Sequence, residues 1–134
     1  MVKILLVEDN EVIRKTIADL IAMEDDFSVE GQAANGKIAL TLMQNGLTVD
    51  VVVTDLNMPE MDGIELTQNI TDMNKDIKVI ILTMHDKKTY LDRAFAAGAK
   101  GYLLKNGDMD ELYATIEKVY NGESVIGQDV SLND

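Results

Sequence analysis

The stretch VVVTDLNMPEMDG, residues 51–63, joins an all-apolar run to an acid, an asparagine, the only proline of the chain and an Asp-Gly turn. Its apolar part, predicted as a strand over 50–54, is continuous rather than alternating, which indicates burial on both faces of a sheet. Similar runs lie at 2–7 (VKILLV) and 78–83 (KVIILT). Asp55 therefore stands at the end of a buried strand.

Two weaker strands are predicted at 28–34 and 100–104, from their place between segments of helical period. The order of elements is then βαβαβαβαβα. Strict alternation of strands and helices predicts a parallel sheet with right-handed crossovers and helices on both faces. We therefore expect a doubly wound α/β domain with a five-stranded parallel sheet, (βα)5.

Apolar residues at helical spacing define the predicted helices. The buried stripe comprises Ile13, Ile17, Leu20 and Ile21 in the first helix, and Met109, Leu112, Tyr113, Ile116 and Val119 in the last, over 108–121. Asp62 is a capping residue type for a helix that runs to about Met73, and Asp108 for the last helix. Gly98 is typical of the end of a helix that begins near Lys87.

The composition excludes several classes of site. The chain of 134 residues has no cysteine and one histidine, which removes disulfides, thiolate zinc sites and His-rich metal centres. Its 24 acidic and 12 basic residues give a formal charge of −12, which disfavours direct nucleic-acid binding by this segment. No apolar run is long enough to span a membrane, so the expected location is the cytoplasm. Residues 122–134 lack a clear period and are expected to be a tail or the start of a linker.

Chemically active side chains follow four of the predicted strands. Glu8 and Asp9 follow the first strand, Asp55 the third, Thr83 ends the fourth and Lys105 follows the fifth. In open parallel sheets these ends meet at one edge, where ligands bind. Three clustered carboxylates indicate a bound divalent cation or partial protonation, and oxygen ligands favour Mg²⁺ or Mn²⁺. Such a site suits a phosphoryl group, with Asp55 as nucleophile and Lys105 and Thr83 stabilising charge.

Each of these residues also has a simpler interpretation. Asp9 can be a helix cap rather than a ligand. Thr83 can accept a hydrogen bond from a loop amide, and Lys105 can be an ordinary solvated side chain. The prediction of a site therefore depends on all of these strand ends carrying complementary groups.

Residues 1–121 resemble the receiver domains of two-component response regulators. The motifs are LLVEDN with Glu8 and Asp9, VVVTDLNMPEMDG with Asp55, IILTMH with Thr83, and GYLLK with Tyr102 and Lys105. The resemblance implies a flavodoxin-like fold with strand order 2-1-3-4-5. It also implies that Asp55 is phosphorylated by a sensor histidine kinase or a phosphotransfer protein.

The resemblance assigns further roles at the site. Mg²⁺ would be held by Asp9, Asp55 and the backbone carbonyl of Asn57, with Glu8 assisting through water. Thr83 would be drawn to the phosphoryl group and Tyr102 would turn inward, although Tyr102 can also be a plain half-buried strand aromatic. Asn57 and His85 occupy places that influence how fast the phosphoryl group is lost in this family. For His85, an exposed loop histidine is the alternative.

The stretch AFAAGAKGYLLKNGDMDELYATIEKVYNGE resembles receivers joined to LuxR-type helix-turn-helix output domains. This implies a transcription factor whose DNA-binding domain would follow residues 122–134, although a stand-alone receiver remains an alternative. A phosphorylation-favoured homodimer is expected, through the first and fifth helices or through the face of the fourth and fifth.

Three other classes of protein fit less well. A phosphatase of the haloacid dehalogenase type needs a second Asp two residues after the nucleophile, and Asn57 stands there. A flavodoxin-like flavin carrier needs a phosphate-binding loop after the first strand, where VEDNEV is acidic. A calcium-binding loop of the EF-hand type would need a glycine at position 77, where Ile77 stands. It would also need a bidentate Glu at position 83, where Thr83 stands.

Overall fold

The computed structural model describes residues 1–128 and 130. Strands and helices alternate along the chain. They are β1 (Val2–Val7), α1 (Glu11–Ala22), β2 (Phe27–Ala33), α2 (Gly36–Gln44), β3 (Val51–Thr54), α3 (Gly63–Met73), β4 (Lys78–Thr83), α4 (Lys88–Ala96), β5 (Gly101–Leu104), α5 (Met109–Tyr120) and β6 (Val125–Ile126). All five predicted strands are present, with ends within one residue of the predicted ones.

The strands form one parallel sheet in the order β2-β1-β3-β4-β5-β6. The predicted doubly wound, flavodoxin-like order 2-1-3-4-5 is therefore confirmed. The prediction of five strands was wrong by one, because β6 pairs with β5 and lies in the segment expected to be a tail. A strand of two residues is too short to show a pattern in the sequence, and the pairing of β6 depends on the open edge of β5. Residues 129 and 131–134 of that segment lie outside the described residues.

The sheet separates two apolar cores, which explains the continuous apolar runs. In β1, Ile4 and Leu6 point towards α1 and α5, whereas Leu5 and Val7 point towards α2, α3 and α4. Strands covered on both faces need apolar side chains at successive positions. Since β1, β3 and β4 are central, their carboxyl ends are held in a well-packed frame.

Two helices, α3 and α5, begin after the capping side chains that were predicted for them. Asp62 accepts a hydrogen bond from the amide of Glu65 at 2.8 Å, and Asp108 accepts one from the amide of Glu111 at 2.9 Å. Gly98, which follows α4, has a φ of +112°, a conformation that favours glycine.

The stripe predicted for α5 faces the core, but the stripe predicted for α1 is correct only in part. Ile21 is buried and Ile17 and Leu20 are half-buried, whereas Ile13 is 38% exposed. Ile13 lies in the first turn of α1, beyond the end of β1, where the sheet no longer covers it. No helix in the described part of the chain has the length and apolarity of a membrane span.

Candidate functional site

The carboxyl ends of β1, β3, β4 and β5 bring the predicted site residues to one edge of the sheet. Glu8 and Asp9 follow β1, Asp55 follows β3, Thr83 ends β4 and Lys105 follows β5. Each lies where a buried strand gives way to a loop, so the sheet positions its backbone.

Lys105 links two of the acidic residues. Its Nζ lies 2.9 Å from Oδ2 of Asp55 and also contacts Oε1 of Glu8. These groups are 50 and 97 residues from Lys105 in the sequence. The side chains of Lys105, Glu8 and Asp55 are only 15%, 3% and 12% exposed. Lys105 is therefore part of a largely buried ion-pair network, not a solvated surface lysine.

Burial and ion pairing oppose each other in this network. Burial raises the pKa of Glu8, and the hydrogen bonds from Lys105 and from the amide of Asn10 only partly counteract it. Burial alone would lower the pKa of Lys105, but its bonds to Glu8 and Asp55 outweigh that effect and raise the pKa. Lys105 thus remains an ammonium at neutral pH.

The acidic residues form a donor set that suits a divalent cation. One carboxylate oxygen from each of Glu8, Asp9 and Asp55 lies within 4.8 Å of the others. The three carboxyl groups outnumber the one ammonium of Lys105 that lies beside them. A group of oxygen-only donors rich in carboxyl groups fits Mg²⁺ or Mn²⁺.

Asp9 does not cap α1, because its neighbour Asn10 does. Oδ1 of Asn10 accepts a hydrogen bond from the amide of Ile13 at 3.0 Å. The amide of Asn10 donates to Oε2 of Glu8 at 3.0 Å. The alternative of Asp9 as the cap of α1 is therefore not what the structure shows, and the side chain of Asp9 lies exposed at the rim.

Arg14 was missed by the sequence analysis. Its Nη1 donates to the backbone carbonyl of Glu8 at 2.9 Å, so the first turn of α1 holds the loop that carries Glu8 and Asp9. The sequence signal is a basic residue four positions after the cap, on the face of the helix that turns back to the loop.

The backbone of Asp55 is held by its neighbours. The carbonyl of Asp55 accepts a hydrogen bond from the hydroxyl of Thr54 at 3.0 Å, and Oδ1 of Asp55 accepts one from the amide of Leu56 at 2.7 Å. The amide of Gly63 donates to the carbonyl of Leu56 at 2.7 Å. A Cβ at Gly63 would lie 2.2 Å from the carbonyl oxygen of Asp55, so α3 approaches this loop as closely as a glycine permits.

The loop after β4 connects the remaining predicted residues. Oγ1 of Thr83 accepts a hydrogen bond from the amide of His85 at 3.2 Å, which is the simpler role considered for this hydroxyl. The ring of His85 packs against Tyr90 with centroids 5.0 Å apart, and its Nε2 contacts the side-chain amide of Asn57. His85 is therefore a half-buried link across the site rather than an exposed loop histidine.

Tyr102 points into the protein and is fully buried. Its hydroxyl donates to the backbone carbonyl of His85 at 2.7 Å, on the loop that also carries Thr83. Burial, together with the charge of Asp86, raises the pKa of Tyr102 to about 12. The half-buried position considered from the sequence is thus replaced by full burial.

Between pH 10 and 12 the stability of the wild type should fall more steeply than that of Tyr102→Phe. The folded protein keeps the phenolic proton up to about pH 12, whereas the unfolded chain loses it near pH 10. This contribution is complete below pH 10 and is lost as the pH rises to 12, an extra loss of about 2 kcal/mol. Urea unfolding at several pH values measures the difference, and parallel pH profiles would contradict the assignment.

Comparison with known proteins identifies the family of this chain. Residues 4–117 match the family described as "Response regulator receiver domain". The transcriptional regulatory protein DegU of Brevibacillus brevis is 32% identical over 132 residues, covering 98% of this chain and 56% of that protein. The response regulator UvrY of Escherichia coli (strain K12) is 34% identical over 131 residues, covering 98% of this chain and 60% of that protein. The chain thus spans less than two thirds of these relatives.

Solved structures agree with these sequence relatives. A two-component response regulator of the LuxR family from Aurantimonas sp. SI85-9A1 superposes with a TM-score of 0.91 and 33% identity, covering 97% of this chain and 92% of that one. A DNA-binding response regulator of the LuxR family from Staphylococcus aureus gives a TM-score of 0.84 and 31% identity, covering 90% of this chain and 100% of that one. This chain therefore belongs to the family of response regulator receiver domains.

Proposed function

We propose that Asp55 accepts a phosphoryl group from a phosphohistidine on a sensor histidine kinase or phosphotransfer protein. The observation that carries the proposal is the surroundings of the Asp55 carboxylate, which contacts the ammonium of Lys105 and lies within 4.8 Å of carboxylate oxygens of Glu8 and Asp9. A cation and a group of metal-binding acids beside the same carboxylate suit a transferred phosphoryl group.

In the proposed step, a carboxylate oxygen of Asp55 attacks phosphorus. The O–P bond forms, the N–P bond of phosphohistidine breaks, and the imidazole nitrogen that leaves takes up a proton. The carboxylate is held before the step by the amide of Leu56 on Oδ1 and by Lys105 on Oδ2. This fixed orientation reduces the entropy that the transfer would otherwise lose.

Mg²⁺, or Mn²⁺ in its place, would be held by Glu8, Asp9, Asp55 and the backbone carbonyl of Asn57. When bound, the ion neutralises negative charge on the phosphoryl oxygens. Arg14 and Asn10 hold the loop that carries Glu8 and Asp9, and Lys105 neutralises part of the carboxylate charge.

Thr83 and Tyr102 are the proposed switch residues. The hydroxyl of Thr83, which accepts from the amide of His85, would turn to donate to the phosphoryl group. The same loop supplies the carbonyl that holds the hydroxyl of Tyr102. A shift of this loop therefore alters the support of Tyr102, and with it the surface of α4, β5 and α5.

An apolar groove beside the site is the proposed docking place for the kinase. Its volume is about 380 Å³, and it opens next to Lys105 between α1 and the start of α5. Val12, Ile13 and Met84 line it and are exposed. Apolar side chains next to a charged site suit a partner helix that presents its phosphohistidine.

The phosphorylated domain is proposed to control transcription through a DNA-binding output domain, as the names of its relatives suggest for those proteins. A net charge of −12 argues against DNA binding by this segment itself. Receiver domains are signalling switches, and self-phosphorylation with slow self-dephosphorylation is the only catalysis proposed. We also propose a homodimer, through α1 and α5 or through α4 and α5. The proposed location is the cytoplasm.

Incubation with Mg²⁺ and acetyl phosphate, followed by intact mass measurement, tests this function. The wild type and Asp25→Asn, which alters an exposed acid far from the site, should each gain one phosphoryl group. Asp55→Asn should gain none, because an amide oxygen is a poor nucleophile. Rapid hydrolysis of the donor without an adduct would favour a phosphatase, and an inert wild type would contradict both functions.

A further inference from the structure

The edge segment, residues 125–128 and 130, lies along the outer edge of β5. The amide of Val125 donates to the carbonyl of Lys100 at 2.9 Å, and the amide of Gly127 donates to the carbonyl of Tyr102 at 2.8 Å. Without this segment, β5 would present these carbonyls at an open sheet edge. The edge segment thus completes the hydrogen bonding of the strand that carries Tyr102.

Close packing holds the edge segment at two further points. Val130 is 7% exposed and belongs to the apolar cluster that contains Tyr102 and Leu91 of α4. Gly127 is buried, and a Cβ there would lie 3.2 Å from Cδ2 of Leu103 and 3.4 Å from the carbonyl oxygen of Tyr102. The backbone of Tyr102 is thus hydrogen-bonded to the edge segment, and its side chain shares an apolar cluster with Val130.

We propose that Gly127 and Val130 are positioning residues for Tyr102, and that the docked edge segment and the inward Tyr102 stabilise each other. Movement of Tyr102 would then loosen the edge segment, residues 125–128 and 130. The phosphorylation-driven part of this coupling rests on the proposed function of Asp55. The mutual stabilisation of Tyr102 and the edge segment does not.

The contacts of Tyr102 support a coupling rather than simple packing. Tyr102 is tied on one side to the loop after β4 through His85, and on the other to the edge segment through Gly127. It therefore lies between the loop that carries Thr83 and the edge segment. Coupling free energies are reciprocal, so a change in the edge segment must also affect the site if Tyr102 responds to both.

Amide hydrogen exchange of the unphosphorylated full chain tests whether Tyr102 and the edge segment stabilise each other. Val130→Asn should speed exchange at the amides of Val125 and Gly127 about tenfold or more, because it puts a polar group into the cluster of Tyr102. The matched control is Ile126→Asn, on the same segment but 44% exposed, which should stay within about threefold. If Val130→Asn does not fold, Gly127→Ala takes its place, since its Cβ would press against β5.

Tyr102→Phe tests the link in the other direction. Loss of the hydroxyl bond to His85 should speed exchange at the Gly127 amide several-fold. The amide of Asp50, which donates to the carbonyl of Lys3 at the opposite end of the sheet, should not change. Unchanged exchange at Gly127 in this variant would overturn the proposal.

The lifetime of the phosphoryl group then tests the coupling to the site. After reaction with acetyl phosphate, Val130→Asn should change this lifetime at least threefold relative to the wild type, whereas Ile126→Asn should not. If the wild type is phosphorylated but the phosphoryl group has the same lifetime in Val130→Asn and in Ile126→Asn, the coupling is overturned. The proposed function of Asp55 is then unaffected. If the wild type takes up no phosphoryl group, the proposed function fails, and exchange in Tyr102→Phe still decides whether Tyr102 and the edge segment are linked.

Discussion

Gly63→Ala should lower the free energy of unfolding by about 3 kcal/mol. The new Cβ would lie 2.2 Å from the carbonyl oxygen of Asp55 and 3.1 Å from Cα of Leu56. Both are backbone atoms and cannot rotate away, so either α3 or the loop after β3 must move. Because the loop carries Asp55, the proposed phosphoacceptor, phosphoryl uptake should also fall about tenfold or more. Urea unfolding and the rate of mass gain with acetyl phosphate measure the two effects.

Gly36→Ala is the matched control. Gly36 is the first residue of α2, as Gly63 is of α3, and both follow a capping residue. The three heavy atoms nearest to a Cβ at Gly36 all belong to the side chain of Met61, at 3.0 to 3.2 Å, and a methionine side chain can adjust. Its effect should stay below about 1 kcal/mol. Equal losses in the two variants would show that the close approach of α3 to Asp55 is not the cause.

Lys105→Met should cost about 3 kcal/mol of stability and abolish phosphoryl uptake. Glu8 is 2% exposed, and removal of the ammonium leaves its carboxylate buried without a counter-charge. Burial already raises the pKa of Glu8, and loss of the ion pair removes one of the contacts that oppose this rise. Uptake fails because the cation that faces Asp55 is absent.

Two further variants separate charge from packing. Lys15→Met removes a lysine from an exposed ion pair with Glu11 at 3.1 Å and should cost about 0.5 kcal/mol or less. Adding Glu8→Gln to Lys105→Met should restore most of the lost stability, because an amide carries no charge and still accepts from the amide of Asn10. Phosphoryl uptake should stay absent. If Glu8→Gln restores nothing, packing of the Lys105 side chain explains the loss instead.

Much of the fold could be predicted because strands that are buried on both faces of a sheet consist of continuous apolar runs, and such runs are visible in the sequence. VKILLV, VVVT and KVIILT have few alternatives to central parallel strands. The acids and Lys105 could be placed at one edge for the same reason, since parallel strands bring their carboxyl ends together. Polar caps such as Asp62 and Asp108 likewise act on the adjacent residues of their own chain segment.

Other features depend on contacts between distant segments and left no local signal. The pairing of β6 requires the open edge of β5, and two residues without a period do not indicate it. The exposure of Ile13 depends on where the sheet ends beneath α1. Whether Asp9 or Asn10 caps α1 is decided by loop geometry, because both are capping residue types.

The amino-acid sequence alone determined the alternation of strands and helices, the strand order implied by its family resemblance, and the set of groups at the site edge. Local periodicity and residue chemistry carry that information. Only the tertiary structure decided that Lys105 binds Glu8 as well as Asp55, that Tyr102 is fully buried against His85, and that α3 touches the loop that carries Asp55. Those contacts join residues far apart in the chain, and their existence depends on distances that only the packed domain sets.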